Sequence, residues 1–411
     1  MVNIFRILEV GWWLILPLFL LFVFLDFWLK MVRRVFILKI PWKLLEIKIP
    51  REILKTPKAM EQVFAAVHSI KTKIRFFDKW RKGKVQNWMS FELTGQAGGV
   101  HFYVRTPEEF RNLTESAIYA QYPDAEIIEV EDYVDLLPSV LPNKIYDLWG
   151  ANYILAKEDA YPIRTYEYFE ERVKEKRLDP MAAVTEALSK TKEDEMGWLQ
   201  ILVRPIDDDW KKEGEKLIGK LTGRKSARDR TLLEDLEEFI INLIKAPFTP
   251  PVWSDGEEGS KGEVGSLTPG EKDVVAAMEN KISKLGFEAI VRFVYIDKAA
   301  SFSRDNVAAV TGALQQFNTQ NLNAFKSHPT TATKTFQPFK EHKLYYRKRK
   351  IFDDYRLRKF PSPLKLKKIP ILNTEELATI YHPPTTFVEA PTLRRLESRR
   401  GEPPAGLPIL E

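Results

Sequence analysis

A nucleotide-binding loop is the first chemistry that this sequence suggests, because residues 214–220 (GEKLIGK) match the G-x-x-x-x-G-K pattern. Leu221 stands where such a loop needs a Ser or Thr to hold magnesium. The match also falls inside a charged helical pattern, whereas a phosphate loop joins a strand to a helix. We therefore interpret residues 214–220 as a solvated helix that contains two glycines.

Other residues with catalytic or metal-binding chemistry are sparse. Residues 207–209 are three aspartates that follow a strand and Pro205, which favours a helix-capping turn over a metal site. His68 and His101 are expected at the surface of the first domain rather than in catalysis. The chain has no cysteine, and its five histidines lack the short spacing of a zinc site. The sequence thus predicts no catalytic, cofactor-binding or metal-binding residue, and a protein that is not an enzyme.

The strongest single feature is an apolar run near the start of the chain. Residues 10–29 are apolar apart from Asp26, and about twenty such residues suffice for a helix to cross a bilayer. The run is long and its positive charge lies behind it, which favours a retained single-pass anchor over a cleaved signal peptide. The same charge predicts a cell-membrane protein whose body is cytoplasmic. The side chains assigned to the membrane interfaces are Trp12, Trp13, Trp28, Arg33 and Arg34.

The chain after the anchor has the composition of an α+β protein with two domains. Residues 41–133 read as β-α-β-β-α-β, which is the order of a ferredoxin-like (split βαβ) domain. The expected strands are residues 44–49, 87–94, 100–105 and 126–130, with helices that begin at Thr56-Pro57 and Thr106-Pro107.

A second ferredoxin-like domain is expected over residues 152–350, after a linker at 134–151. Residues 206–285 would be a helical insertion within it, partly disordered where Gly, Glu and Ser dominate at 250–266. The expected strands are residues 153–155, 164–169, 198–204, 287–296 and 344–349. Residues 1–40 then form the anchor and residues 351–411 a basic and Pro-rich tail.

Positive charge is concentrated late in the chain, although the net charge is only +6. Residues 345–368 interleave Lys and Arg with Tyr and Phe, a pattern that suits phosphates and stacked bases. The same residues suit anionic lipid, or a solvated segment with no ligand. The candidate contacts are Arg347, Lys348, Arg349 and Lys350.

The tail also carries a resemblance to a known class of proteins. Residues 371–384 (ILNTEELATIYHPP), with later Pro-rich pieces, resemble the segment that leads into the motor domain of conjugation-type coupling ATPases. Those are type IV secretion proteins of the HerA/FtsK-like class, and Ala120-Gln121-Tyr122-Pro123-Asp124-Ala125 resembles their membrane-anchored N-terminal region. The resemblance implies that residues 374–384 dock on an ATPase. The candidate docking residues are Glu375, Glu376, Leu377, Tyr381, His382 and Pro383.

The sequence therefore predicts a non-enzymatic membrane component of a type IV secretion-like translocation apparatus. Its partners would be the membrane and a separate HerA/FtsK-like ATPase, with a homo-oligomer left open. The alternative is a membrane-tethered nucleic-acid-binding protein that uses residues 345–368. No cofactor is expected.

Overall fold

The computed structural model describes residues 4–48, 55–169, 179–223, 267–334, 339–360 and 369–384, with side chains of the first helix described from Leu16 onward. The side chains of Trp12 and Trp13 lie outside this description. So do the predicted loop at 250–266, part of the basic stretch at 361–368, and the tail from 385 to 411.

The described chain is a mixed α+β structure built on one large antiparallel sheet, so the predicted α+β class is confirmed. The helices are α1 (Ile4–Leu38), α2 (Lys58–Val67), α3 (Arg111–Gln121), α4 (Ala182–Ser189), α5 (Asp209–Leu221), α6 (Pro269–Ser283), α7 (Asp305–Leu314), α8 (Lys340–Arg356) and α9 (Thr374–Ile380). The strands are β1 (Trp42–Lys48), β2 (Met89–Gln96), β3 (Gly99–Pro107), β4 (Glu126–Val130), β5 (Tyr146–Leu155), β6 (Met196–Pro205), β7 (Gly286–Lys298), β8 (Phe325–Ser327) and β9 (Ile371–Asn373).

The strand order in the sheet is β4-β1-β3-β2-β6-β7-β5-β8, and β9 pairs with the start of β7. The first four strands and the next four meet where β2 pairs with β6, from Met89 opposite Val203 to Gln96 opposite Met196. Both of these strands are buried along nearly their whole length. Strand edges that would otherwise stay open are thus joined, and the sheet is continuous across the two halves.

The two faces of the sheet are covered by different elements. Helices α2, α3, α4, α7 and α9 cover one face and share the largest apolar core with it, which includes Phe64, Phe91, Phe293 and Phe317. The opposite face carries α8 and a short 3-10 turn, Tyr133–Leu136, in a second core around Trp198 and Tyr355. Because successive side chains of a strand point to opposite faces of the sheet, neighbouring residues contribute to different cores.

Two predicted strands of the second half have other conformations. Residues 164–169 contain a 3-10 turn, Tyr166–Tyr168, whose Tyr166 N–H donates to Thr379 Oγ1 at 3.0 Å. Residues 344–349 lie within α8, where Ile351, Phe352 and Tyr355 are buried at helical spacing. The strand at the far edge is instead β8, which was not predicted, and β5 begins within the expected linker.

The C-terminal segment is part of the folded body rather than a separate tail. Strand β9 pairs with β7, and α9 packs against α2. Asn373 and Glu376 form a capping box that starts α9, with Asn373 Oδ1 accepting from the Glu376 N–H at 2.8 Å. The predicted boundary at residue 351 is therefore wrong, because residues 351–360 and 369–384 complete the core.

Helix α1 covers the predicted membrane segment, yet no helix in the described residues has the length and apolarity needed to cross a bilayer. Asp26, Lys30, Arg33 and Arg34 interrupt the apolar part of this helix. About twenty apolar residues are required for a span. The predicted transmembrane helix is therefore not supported.

Candidate functional site

The described side chains of α1 form a large uncovered apolar surface. Leu18, Phe19, Leu20, Leu21 and Phe22 are exposed at successive positions, so the exposure runs around the whole helix. Phe22 exposes 71% of its surface. Contiguous apolar surface of this kind marks a binding surface for protein or lipid, because water does not stabilise it.

The charged end of α1 contains an ion pair between Asp26 and Lys30, and it contacts a second element of the structure. Lys30 Nζ lies 2.5 Å from Asp26 Oδ2, one helical turn earlier. Trp28 donates from Nε1 to the Trp80 carbonyl at 3.2 Å. Of the side chains predicted for the membrane interface, Trp28 and Arg34 are exposed, and Arg33 is half-buried with its Nε unpaired.

The second element is a loop that we call the basic turn (residues 71–84). At its base, Asn87 donates from Nδ2 to Thr72 Oγ1 at 2.9 Å. Its tip is a π-helical turn, Asp78–Lys82, ended by Gly83 at φ +68°. A Cβ at Gly83 would lie 2.4 Å from the backbone of Val32, so only glycine allows this approach to α1.

The basic turn exposes aromatic and cationic side chains together. Phe76 exposes 69% of its surface and Phe77 80%, and the ring centroids of Phe76 and Trp80 are 6.0 Å apart. Residues 71–84 contain seven Lys or Arg and one acid, Asp78, a formal charge of +6. Asp78 pairs with Lys82 at 2.8 Å, and that hydrogen bond is the largest cause that lowers the pKa of Asp78. Sequence reasoning missed this turn, although the charge excess was readable.

Most of the basic residues predicted on residues 347–350 are used within the protein. Arg347 donates to the carbonyls of Pro329, Ala332 and Lys334. Lys348 lies 2.5 Å from Asp147 Oδ1. The other close pair joins Lys350 to Asp354 at 2.6 Å, whereas Arg349 is exposed.

A smaller basic and aromatic surface remains on the first turns of α8. Lys340, Lys343, Tyr345, Tyr346 and Arg349 are exposed there. They lie on a helix rather than on the predicted strand or linker. This surface retains the combination of charge and rings that a polyanion would require.

The residues predicted to dock on a partner lie in the interior of the protein's own fold. The buried set is Glu375, Glu376, Leu377, Tyr381, His382 and Pro383. Tyr381 donates from its hydroxyl to the Tyr103 carbonyl at 3.0 Å. The ring nitrogens of His382 contact the Ala378 carbonyl at 2.7 Å and Asp179 Oδ1 at 3.0 Å. Helix α9 is therefore a core element, and the prediction of a free docking segment is wrong for these side chains.

Buried ion pairs hold α9 in place. Lys281 Nζ lies 3.0 Å from Glu376 Oε2 with both side chains fully buried. Burial raises the pKa of Glu376, and Lys281 together with the Asn373 and Ile163 N–H groups offsets part of this effect. Lys284 bridges Glu375 at 2.6 Å and Glu61 at 3.0 Å. These contacts join α6, α2 and α9.

A larger buried network lies on the opposite face of the sheet. Arg358 donates from Nε and Nη2 to the two oxygens of Glu92, each at 3.0 Å, and from Nη1 to Asp132 Oδ2 at 2.5 Å. Burial raises the pKa of Glu92, but Arg358 and the hydroxyls of Ser90 and Tyr133 lower it to about 2. The carboxylate is thus ionised and saturated with donors, which suits a structural link rather than acid-base chemistry.

The network continues across the sheet to Arg292. Gln200 donates to Glu92 Oε1 at 2.9 Å and accepts from Arg292 Nη1 at 2.6 Å. Arg292 also donates to Asn152 Oδ1 at 2.8 Å and to the carbonyls of Asp354 and Lys359. Side chains from β2, β5, β6 and β7 thereby hold the end of α8 against the sheet.

An open cleft of about 280 Å³ lies beside α9. Thr165, Glu167, Asn280 and Glu375 contribute to its lining. Burial raises the pKa of Glu167, and the charge of Glu375 adds to this effect. Lys281, which also borders the cleft, is engaged by Glu376, so the cleft presents acidic and amide groups rather than a nucleophile with its base.

The phosphate-loop pattern of residues 214–220 lies entirely within α5. A Cβ at Gly214 would lie 2.7 Å from Ile282 Cγ2, so this glycine permits close packing of α5 on α6. The helical interpretation is confirmed, but both glycines are on the buried side rather than in solvent.

Comparison with known proteins places the chain in a family. No curated protein matches the chain. A family model matches residues 38–393, from the last residue of α1 through the basic turn, the sheet and α9. The chain belongs to the family described as Domain of unknown function (DUF8128).

Proposed function

We propose that the protein is a non-enzymatic assembly component held at the cell membrane by α1. The observation that carries this proposal is the exposed apolar surface of α1 from Leu16 to Leu25, followed at once by charged residues. Apolar side chains that face outward all around a helix are stabilised by lipid or by another protein, not by water. The transition to Lys30, Arg33 and Arg34 matches the change from hydrocarbon to headgroups.

We propose further that the body consists of two ferredoxin-like halves that form a rigid platform. Strands β1–β4 lie side by side in the order β4-β1-β3-β2. Read from the other edge of the sheet, the second half has the order β8-β5-β7-β6, which is the same arrangement when β5–β8 are counted as strands one to four. Two contacts support rigidity. The pairing of β2 with β6 connects the two halves of the sheet, and the buried Arg358–Glu92 ion pair connects the end of α8 to β2. Saturated buried side chains suit a platform better than a catalytic centre.

The specific apparatus follows from the sequence resemblance to coupling ATPases of type IV secretion. We propose that a separate HerA/FtsK-like ATPase binds the cytoplasmic body and that the body itself is single-pass anchored and does not hydrolyse nucleotide. Because α9 is buried, we propose that the ATPase contacts the outer surface of the body, as would a second copy of this chain. Because residues 374–384 belong to the core, we propose that the Pro-rich residues after 384, which lie outside the description, take the docking role in their place.

Membrane flotation tests the proposal. The variant Phe19→Ser/Phe22→Ser/Leu25→Ser should leave the floating membrane fraction in a density gradient after an alkaline wash, whereas the wild-type protein should float. The matched control Leu136→Ser/Ile145→Ser/Leu357→Ser changes three exposed apolar residues of the body and should float like the wild type. A triple α1 variant that floats unchanged would contradict the proposal.

Copurification tests the proposed partner. The full chain and a chain ending at Pro384 should be purified from native membranes, because deletion from residue 371 would remove β9 and α9 from the core. We expect an ATPase to copurify with the full chain and to be lost, wholly or in part, from the shortened one. Nucleotide hydrolysis by the purified chain alone would overturn the non-enzymatic assignment.

Nucleic-acid binding is a second candidate, favoured by the exposed basic and aromatic surface at the start of α8. Lys340, Lys343 and Arg349 are exposed beside Tyr345 and Tyr346. If this surface binds DNA, Lys340→Gln/Lys343→Gln/Arg349→Gln should weaken binding and reduce its salt dependence. Equal binding by the variant and the wild type in a salt titration would rule this surface out.

A further inference from the structure

We propose that the basic turn binds the headgroups of anionic lipids beside the point where α1 enters the membrane. This inference rests on the proposed insertion of α1 and adds a second contact, with its own lipid preference. The occupant is a bilayer surface that carries negative charge. The turn has the two chemical features that such a surface selects, cationic side chains and exposed aromatic rings.

The position of the basic turn follows from its contacts with α1. Trp80 accepts from Trp28 at 3.2 Å, and Gly83 packs on the backbone of Val32. Both contacts lie between the apolar residues up to Leu25 and the end of α1 at Leu38. The turn is therefore fixed at the level of α1 where apolar side chains give way to charge, which is the level of headgroups when the apolar part is in lipid.

The charge of the turn is available to a ligand. Arg75, Lys79 and Arg81 are exposed, and Asp78, the acid within residues 71–84, already pairs with Lys82. A basic residue near an anionic membrane surface contributes a factor of about five to binding. Several such residues on one turn give a marked preference for anionic over neutral bilayers.

The aromatic residues favour lipid over nucleic acid as the occupant. Phe76 and Phe77 are among the most exposed apolar side chains of the body, and the turn that carries them is docked on an exposed apolar helix. Trp28, which contacts the turn, also stacks on the exposed Phe24 of α1, with the ring centroids 6.3 Å apart. Rings at this level can enter the interfacial layer while the neighbouring cations meet phosphate groups.

Flotation with two vesicle populations tests the inference. Detergent-solubilised full chain is mixed with equal amounts of phosphatidylcholine vesicles and vesicles that contain phosphatidylglycerol, at low salt, and the protein in each floating population is measured. The wild type should favour the anionic vesicles. The variant Arg75→Gln/Lys79→Gln/Arg81→Gln should float with both populations, with its anionic preference reduced by about a hundredfold.

Matched variants distinguish lipid binding by the basic turn from an effect of the overall positive charge of the protein. Lys144→Gln/Lys190→Gln/Lys192→Gln removes three exposed lysines that lie near the end of the sheet away from α1, and it should keep the wild-type preference. Phe76→Ser/Phe77→Ser should reduce flotation with both populations. High salt should abolish the preference of the wild type.

The possible outcomes distinguish failure of lipid binding by the basic turn from failure of the insertion of α1. A turn variant that keeps the full anionic preference would overturn the inference and leave the insertion of α1 intact. A wild-type protein that floats with neither population would overturn the proposed function itself. Loss of DNA binding in the turn variant, with vesicle preference unchanged, would assign the turn to nucleic acid and also overturn the inference.

Discussion

Arg358 and Glu92 form a two-pronged buried ion pair across 266 residues of sequence, with both hydrogen bonds at 3.0 Å. Glu92 lies on β2, in the first half of the sheet, and Arg358 follows α8, near the end of the chain. The pair therefore connects the beginning and the end of the body directly. The rigid platform that we propose requires such connections between its parts.

Replacing Glu92 should test this connection. Glu92→Gln leaves the Arg358 charge with fewer buried partners, and we expect the free energy of unfolding to fall by about 3–5 kcal/mol. Chemical denaturation of the detergent-solubilised protein measures the loss. Glu193→Gln, at an exposed carboxylate, should change stability by less than about 0.5 kcal/mol.

The same carboxylate predicts an acid dependence of stability. The folded-state pKa of Glu92 is about 2, below its ordinary value of 4.5, so its contribution is complete above pH 4.5 and is lost as pH falls toward 2. The contribution is about 3 kcal/mol, since one pKa unit corresponds to about 1.4 kcal/mol. The Glu92→Gln protein should lack this component. An identical acid dependence in both proteins would contradict the assignment.

The buried ion pair between Lys281 and Glu376 predicts that a second substitution recovers stability lost through the first. Lys281→Met should leave Glu376 buried without its cation, and we expect a loss of about 3–5 kcal/mol in the free energy of unfolding. Lys281→Met/Glu376→Gln should recover much of that loss, because no unpaired charge remains and the amide oxygen still accepts a hydrogen bond from the backbone N–H groups at this end of α9. Lys272→Met, exposed on the same helix, serves as the control. A double variant no more stable than the single one would argue against the pair.

Gly83 gives a prediction with an internal control. Gly83→Ala places a Cβ 2.4 Å from the Val32 backbone, whereas Gly223→Ala has the same φ of +68° and nothing within 4 Å. Both variants carry the cost of alanine at positive φ, about 1 kcal/mol. Only Gly83→Ala should release the basic turn from α1, which faster tryptic cleavage within residues 71–84 would reveal. Equal cleavage in the two variants would contradict the docking.

The neighbouring cations of α8 should differ in their effect on stability. Lys348 is only 13% exposed, lies 2.5 Å from Asp147 and has Phe302 beneath it, so Lys348→Met should cost about 1–2 kcal/mol. Arg349 is exposed, and Arg349→Met should cost almost nothing. Equal effects of the two substitutions on the midpoint of thermal unfolding would contradict this difference.

The first half of the fold was readable because its signals are local. Strands near residues 44–49, 87–94, 100–105 and 126–130 are short runs rich in β-branched and aromatic residues, and nearby Pro, Gly or helix-cap residues separate them. The long strand β7 is apolar enough to be recognised on its own. The pairing of β2 with β6 was not readable, because it joins two edges that no short turn connects.

The second half contains patterns whose meaning depends on distant contacts. Tyr166 and Phe169 suggest a strand, but their segment packs beside α9, where Tyr166 bonds to Thr379, 213 residues later. The helical spacing of Leu344, Ile351 and Tyr355 is visible only over the whole of α8, whereas a six-residue window favours a strand. Residues 371–384 read as a docking segment because no local signal shows that they fill the core.

Of the candidate site, only the apolar surface of α1 was predictable from the sequence. The apolar run at residues 10–29 predicts the exposed apolar surface that α1 shows from Leu16 onward, although the membrane-spanning prediction itself is not supported. The basic turn was not predicted because its seven cations resemble a solvated linker until Gly83 and Trp80 bring them to α1. The buried pairing of Arg358 with Glu92 was likewise hidden by the distance between them in sequence.

Depth measurement with single-cysteine labels tests the insertion of α1 most directly, since the chain has no cysteine of its own. Environment-sensitive labels on Phe22→Cys and Leu136→Cys would be exposed in vesicles to quenchers attached to acyl chains and to quenchers dissolved in water. We predict that acyl-chain quenchers suppress the label at position 22 and that aqueous quenchers suppress the label at position 136. Equal aqueous quenching at both positions would contradict the membrane-held platform.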